Sequence, residues 1–162
     1  MKRRHASTLF LKAVLLLIAG VALALCVFGL PGMAAMDAQL HPETAYLQYP
    51  FLIAAYIFFL PFFIALHQTF RLLTFIDRGE AFSDVAVKGL KTIKYCALTI
   101  IAFIVLGEGA TIALIRDDDI THIITIGVLI TFGSSVIAIF AGLLQKLLKD
   151  AIRMKSENDL IV

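Results

Sequence analysis

Charge is what this chain has little of. Only 16% of its 162 residues are Asp, Glu, Lys or Arg, whereas 60% are hydrophobic. That balance excludes an ordinary water-soluble domain, and the length suits a single domain. Catalytic signatures are missing too. There is no glycine-rich phosphate loop, no nucleophile elbow and no HExxH pair, so the sequence implies neither an enzyme nor a cofactor. Cysteine is scarce, and Cys26 and Cys96 fall at opposite ends of two different apolar runs. Most of a bilayer thickness would separate them, which excludes a disulfide by reach. Each is expected to be a small core residue. The formal net charge of +2 gives no sign of direct nucleic-acid binding.

What is present is hydrocarbon. Four segments, about 9–30, 50–70, 95–115 and 120–144, are long enough to cross roughly 30 Å of lipid at about 1.5 Å per residue. Backbone polar groups in lipid must be satisfied within the segment, so all four are expected to be helices. The first run, with a basic start and small residues after it, looks superficially like a secretory signal. Its apolar stretch from Ala13 to Leu30 is longer than a usual signal core, and it is expected to be a retained span. The expected architecture is all-α, an integral-membrane four-helix bundle forming one domain over 1–162, with a helical C-terminal extension over 145–162.

Lys and Arg set the orientation. All of the fourteen basic residues except Arg116 fall before span one or at its start, between spans two and three, or after span four. The positive-inside rule then places both termini and the 71–94 connection in the cytosol of a bacterial inner membrane. Within that connection, Asp77, Arg78 and Gly79 read as a helix end, since glycine tolerates the left-handed conformation that stops a helix. Ser83 followed by Asp84 reads as the N-cap of a new helix, with its carboxylate near the positive end of the dipole. The connection is therefore expected to be ordered, turning over 78–81. It would restart as an amphipathic lead-in whose Lys88, Lys91 and Lys94 reach anionic head groups while Val85, Val87, Leu90 and Ile93 face lipid or protein.

Glu108, in "VLGEGATIAL", is the one acidic side chain deep in a span. An intramembrane carboxylate is costly and marks a functional site by default, often an ion or proton path. The structural alternative has it neutral, or hydrogen-bonded to hydroxyls of span four such as Thr125, Ser134 and Ser135, with Gly107 and Gly109 permitting close approach. Both readings stand on the sequence. The small and hydroxylated residues of span four suit helix contacts more than a substrate path. Pro61 is expected to kink span two, and His67 suits the membrane interface.

The opposite face carries Asp37, His41, Glu43 and "RDDDITH" at 116–122. Their spacing matches no metal cage, and no metal is expected. Asp119 is placed to cap span four, with Asp117 and Asp118 favouring its positive end.

Beyond span four, "GLLQKLLKDAIRMKSENDLIV" keeps Leu144, Leu147, Leu148, Ala151 and Ile152 at helical spacing among Lys146, Lys149, Arg153 and Lys155. This is either a snorkelling membrane exit or a partner-binding surface. The last residues, 158–162, would add as a short strand or fray.

"FRLLTFIDRGEAFSDVAVKGLKTIKY" and "LLQKLLKDAIRMKSENDLIV", on a four-span frame, resemble the domain-of-unknown-function family 2975 of bacterial membrane proteins. The most specific parts are 76–82 and 155–162, where that family runs close to K-E-E-N-D-L-T-V; Ser156 and Ile161 depart from it. Members are often encoded beside a small Xre/Cro-type helix-turn-helix regulator, so the resemblance implies a membrane partner of a transcription factor and supplies no catalytic residues. The candidate docking residues, on the turn and the tail, are Asp77, Arg78, Gly79, Phe82, Lys149, Arg153, Asn158, Asp159 and Leu160. The competing expectation is a small transporter or ion-coupled subunit using Glu108, and a third is a structural, lipid-organising protein. Self-association is compatible with all three.

Overall fold

The computed structural model describes residues 2–114 and 120–161, and the regular structure among them is entirely helical. Five α-helices follow one another: α1 (Lys2–Ala24), α2 (Leu30–Leu40), α3 (Gln48–Asp77), α4 (Asp84–Leu114) and α5 (Thr121–Asp159). They supply four apolar helical stretches long enough to cross a membrane: Ala6–Leu40, Ala45–Asp77, Asp84–Ala113 and Thr121–Asp159. The capping expected of Asp119, Asp117 and Asp118 falls outside the described residues, as does Arg116. Contacts group the chain into two units, Met1–Leu66 and His67–Val162.

In the first unit, the opening span does not stop at Leu30 as its apolar run suggests. The helix continues to Leu40 through Pro31 because a π-helical turn, Leu25–Gly29, joins α1 to α2. Leu30 N–H bonds Leu25 O across this wider turn. The next such bond would run from residue 31 to Cys26 O, but proline has no N–H to give. Tyr56 Oη donates to that orphan carbonyl at 3.0 Å instead. In lipid an unsatisfied carbonyl costs several kcal/mol, so the tyrosine stabilises the bulge that lets proline sit within the span. A 3₁₀ turn, Pro42–Leu47, leads into α3, which runs unbroken through the buried Pro61.

The second unit is a helical hairpin with the end of α3 attached. The connection expected over 71–94 is mostly helix, because α3 runs on to Asp77 and α4 begins at Asp84. Gly79 has φ +75°, the only positive φ among the described residues. Its N–H bonds Ile76 O at 3.1 Å, and Glu80 N–H bonds Phe75 O at 2.9 Å. These two bonds make a Schellman end, which only glycine enters without a Cβ penalty. Ser83 caps the next helix, its Oγ accepting from Ala86 N–H at 3.4 Å, with Asp84 in the first turn. At the other end of the hairpin α5 stays helical to Asp159. Leu160 then forms a turn through Leu160 N–H to Glu157 O, so 158–161 form no strand, and Val162 lies outside the described residues.

Candidate functional site

α4 and α5 pack antiparallel. A Cβ added to Gly142 would stand 3.5 Å from Lys94 Cδ, and one added to Gly127 would stand 3.2 Å from Glu108 Cγ. Between these two meetings lie about 21 Å of helix at 1.5 Å rise. The face of α5 turned to α4 is small: Gly127, Ser134, Ala138 and Ala141 are buried, with half-buried Thr131 on the same stripe. Buried along α4 are Ala86, Leu90, Ile93, Cys96, Ala97 and Ile100. Small residues at this spacing let two helix backbones approach closely, which drives helix association where lipid is as apolar as the side chains.

Glu108 lies over Gly127. The carboxylate occupies the space that a side chain at 127 would take, and an added Cβ would overlap it. Thus the residue admitting Glu108 is a glycine of the facing helix, whereas Gly107 and Gly109 have nothing within 4 Å of an added Cβ. Nor do the hydroxyls expected as partners reach it. Thr125 Oγ1 donates to Thr121 O and Ser135 Oγ to Thr131 O, each back along its own helix. Ser134 is buried in the stripe further along. Glu108 Oε1 and Thr131 Oγ1 are the two buried side-chain polar atoms without a hydrogen-bond partner among the described residues. Gly127 is one of the small residues of span four that suit helix contacts, and the structure makes it Glu108's counterpart.

At the basic end, the turn and the tail lie on the same side of the hairpin because α4 and α5 are antiparallel. Arg78, Gly79 and Phe82 are exposed, while Asp77 is half-buried and engaged. Of the lead-in residues, Leu90 and Ile93 are buried, Val85 is exposed and Lys94 lies along Gly142. Lys91 stands 5.9 Å from the Tyr95 ring. On the tail, Lys149, Arg153, Asn158, Asp159 and Leu160 are all exposed, and Arg153 Nε donates to Glu157 Oε1 at 3.0 Å. Cys26 and Cys96 are buried free thiols. His41 and Glu43 meet at 3.8 Å on the connection between α2 and α3, and no group of three metal-ligating side chains occurs among the described residues.

Residues 32–162 match the family described as "Protein of unknown function (DUF2975)". The chain is 49% identical over 156 residues to the "Uncharacterized membrane protein YoaS" of Bacillus subtilis (strain 168), covering 96% of this chain and 98% of that protein. No solved structure matches. The chain belongs to the DUF2975 family, and it is a membrane protein.

Proposed function

We propose, from its place in this family, that the chain is a bacterial inner-membrane protein with both termini in the cytosol, acting by binding and not by catalysis. Its basic end holds a small helix-turn-helix regulator. The observation that carries this reading is the tail. α5 continues well past the stretch that α4 covers, yet it ends with Met154 63%, Leu160 83% and Ile161 84% exposed, and Phe82 of the nearby turn is 62% exposed. A membrane exit needs basic residues, which the tail has, but has no use for apolar side chains pointing into water. A partner helix laid against them would bury them.

The test is co-purification with a helix-turn-helix regulator encoded beside the gene. Removing 156–162 should release it without disturbing insertion, because the apolar run of span four, 120–144, is left whole. Gly79→Val should weaken it as well, since a β-branched residue is strained at φ +75°. Retention by both variants at matched expression would remove the reading. Orientation is checked separately with single cysteines in a background free of Cys26 and Cys96. An impermeant thiol reagent should label Ala38→Cys in intact cells and spare Ser83→Cys.

A second reading, an ion-coupled subunit using Glu108, is favoured by its unpartnered buried Oε1. Loss of a measured proton or cation flux in Glu108→Gln, at unchanged thermal stability, would decide for it.

A further inference from the structure

A cavity of about 200 Å³ lies between the last turns of α3 and the first turns of α4. It is unrelated to the docking residues above and to Glu108. Two permanent cations line it, Arg71 from α3 and Lys88 from α4. Neither is paired with a carboxylate among the described residues. The nearest acids in sequence, Asp77 and Asp84, are not part of its lining. Arg71 is held by its position 6.0 Å from the centre of the Phe75 ring, and Phe75 itself forms part of the wall. Two unpaired cations facing one space repel each other unless an anion lies between them.

The remaining lining says which anion. The Gln68 amide makes no hydrogen bond among the described residues; its Oε1 would stand 3.8 Å from a Cβ on Gly89, and a turn of the amide brings its N–H donors to the same place. Thr92 Oγ1 already donates to Lys88 O at 3.0 Å, so towards the cavity it can only accept, as it would from a hydroxyl of the ligand. Leu72, Val85 and Ala86 complete the lining with apolar surface. Gly89 is buried there, and the absence of a side chain at this position keeps the space open. The volume is several times a water's share of about 30 Å³ and below the roughly 300 Å³ at which drug-sized pockets begin. It suits a head group and not a whole amphiphile. The cavity also lies beside the polar connection between two stretches long and apolar enough to cross a membrane, and lipid phosphates gather at such polar ends of spans.

The geometry points to a site for the phosphate of an anionic phospholipid, held between Arg71 and Lys88 with Gln68 as a further donor, and a glycerol hydroxyl of the head group accepted by Thr92. Bidentate guanidinium contact would orient the phosphate, and the lysine would act as a point charge. The acyl chains would leave along the apolar side past Leu72 and Val85.

The full chain, purified in mild detergent, would be examined by native mass spectrometry after addition of phosphatidylglycerol or phosphatidylcholine. Wild type should retain phosphatidylglycerol preferentially. Arg71→Gln and Lys88→Gln should each cut that preference about five-fold, the size of one cation's attraction to anionic lipid. Gly89→Leu, which keeps both charges but fills the space, should abolish it. The Lys146→Gln, Lys155→Gln double variant loses two charges elsewhere and should bind as wild type. Equal retention by the Arg71 and Lys88 variants, or a loss in the control matching theirs, would overturn the site. Displacement of the lipid by inorganic phosphate at equal concentration would overturn the lipid as its occupant.

Discussion

The two units share hydrophobicity and differ in packing. The first span is the most apolar of the four, yet only 11% of its most apolar stretch is buried within the chain, and the second span reaches 6%. The α4 and α5 spans, less apolar than the first, reach 22% and 17%. Hydrophobicity therefore tells which residues enter lipid and says little about which helices hold one another there. Leu9, Phe10, Leu16, Leu17 and Phe28 lie exposed along the first span, ready for acyl chains. Gly127, Ser134, Ala138 and Ala141 draw α5 onto α4. In lipid a leucine gains nothing by leaving solvent, because the solvent is already hydrocarbon, so the small residue that lets backbones approach does more for association than the large one.

The largest effect that would break or sharpen this contrast comes from placing the same substitution in both units. Gly127→Leu drives a side chain into the Glu108 carboxylate and should cost about 3 kcal/mol or prevent the hairpin from closing, read as thermal unfolding in detergent. Gly20→Leu, where an added Cβ meets nothing within 4 Å, should be neutral or slightly stabilising through helix propensity. Equal losses at the two glycines would mean that the units do not differ in packing.

A smaller effect is expected at Glu108. Its Oε1 is buried without a partner, so Glu108→Met, unbranched and of similar length, should stabilise by about 1 kcal/mol as the cost of an unsatisfied polar atom disappears. A lower melting temperature instead would reveal a partner supplied in the membrane, by another copy or a bound ion. The smallest concerns the hairpin's start. Ser83→Ala removes a cap whose N···O distance is a long 3.4 Å and should cost about 0.5 kcal/mol, measured as a shift in the same unfolding transition.

Local signals were legible in the sequence because they are settled within a few residues. The helix end at Gly79, the cap at Ser83 and the continuation of α5 past the membrane exit each depend on backbone sterics or on periodicity along one segment. Other features were not legible. The apolar run of span one stops at Leu30, and the π turn that carries the helix past Pro31 is stabilised by Tyr56, thirty residues from Cys26 in the chain. Thr125 and Ser135 looked like partners for Glu108, but a hydroxyl on a helix can always bond the carbonyl four residues back, and both do.

The sequence by itself determined that this protein lives in a membrane, that it crosses with four helical stretches, and where its basic connection turns. Hydrophobic length and local backbone chemistry are enough for that. Only the tertiary structure decided that Gly127 meets Glu108 and that Arg71 and Lys88 face one cavity. Such meetings depend on the register and rotation of one helix against another. A turn of about 100° per residue means that a shift of one position presents a different face, and no property of either segment alone selects it.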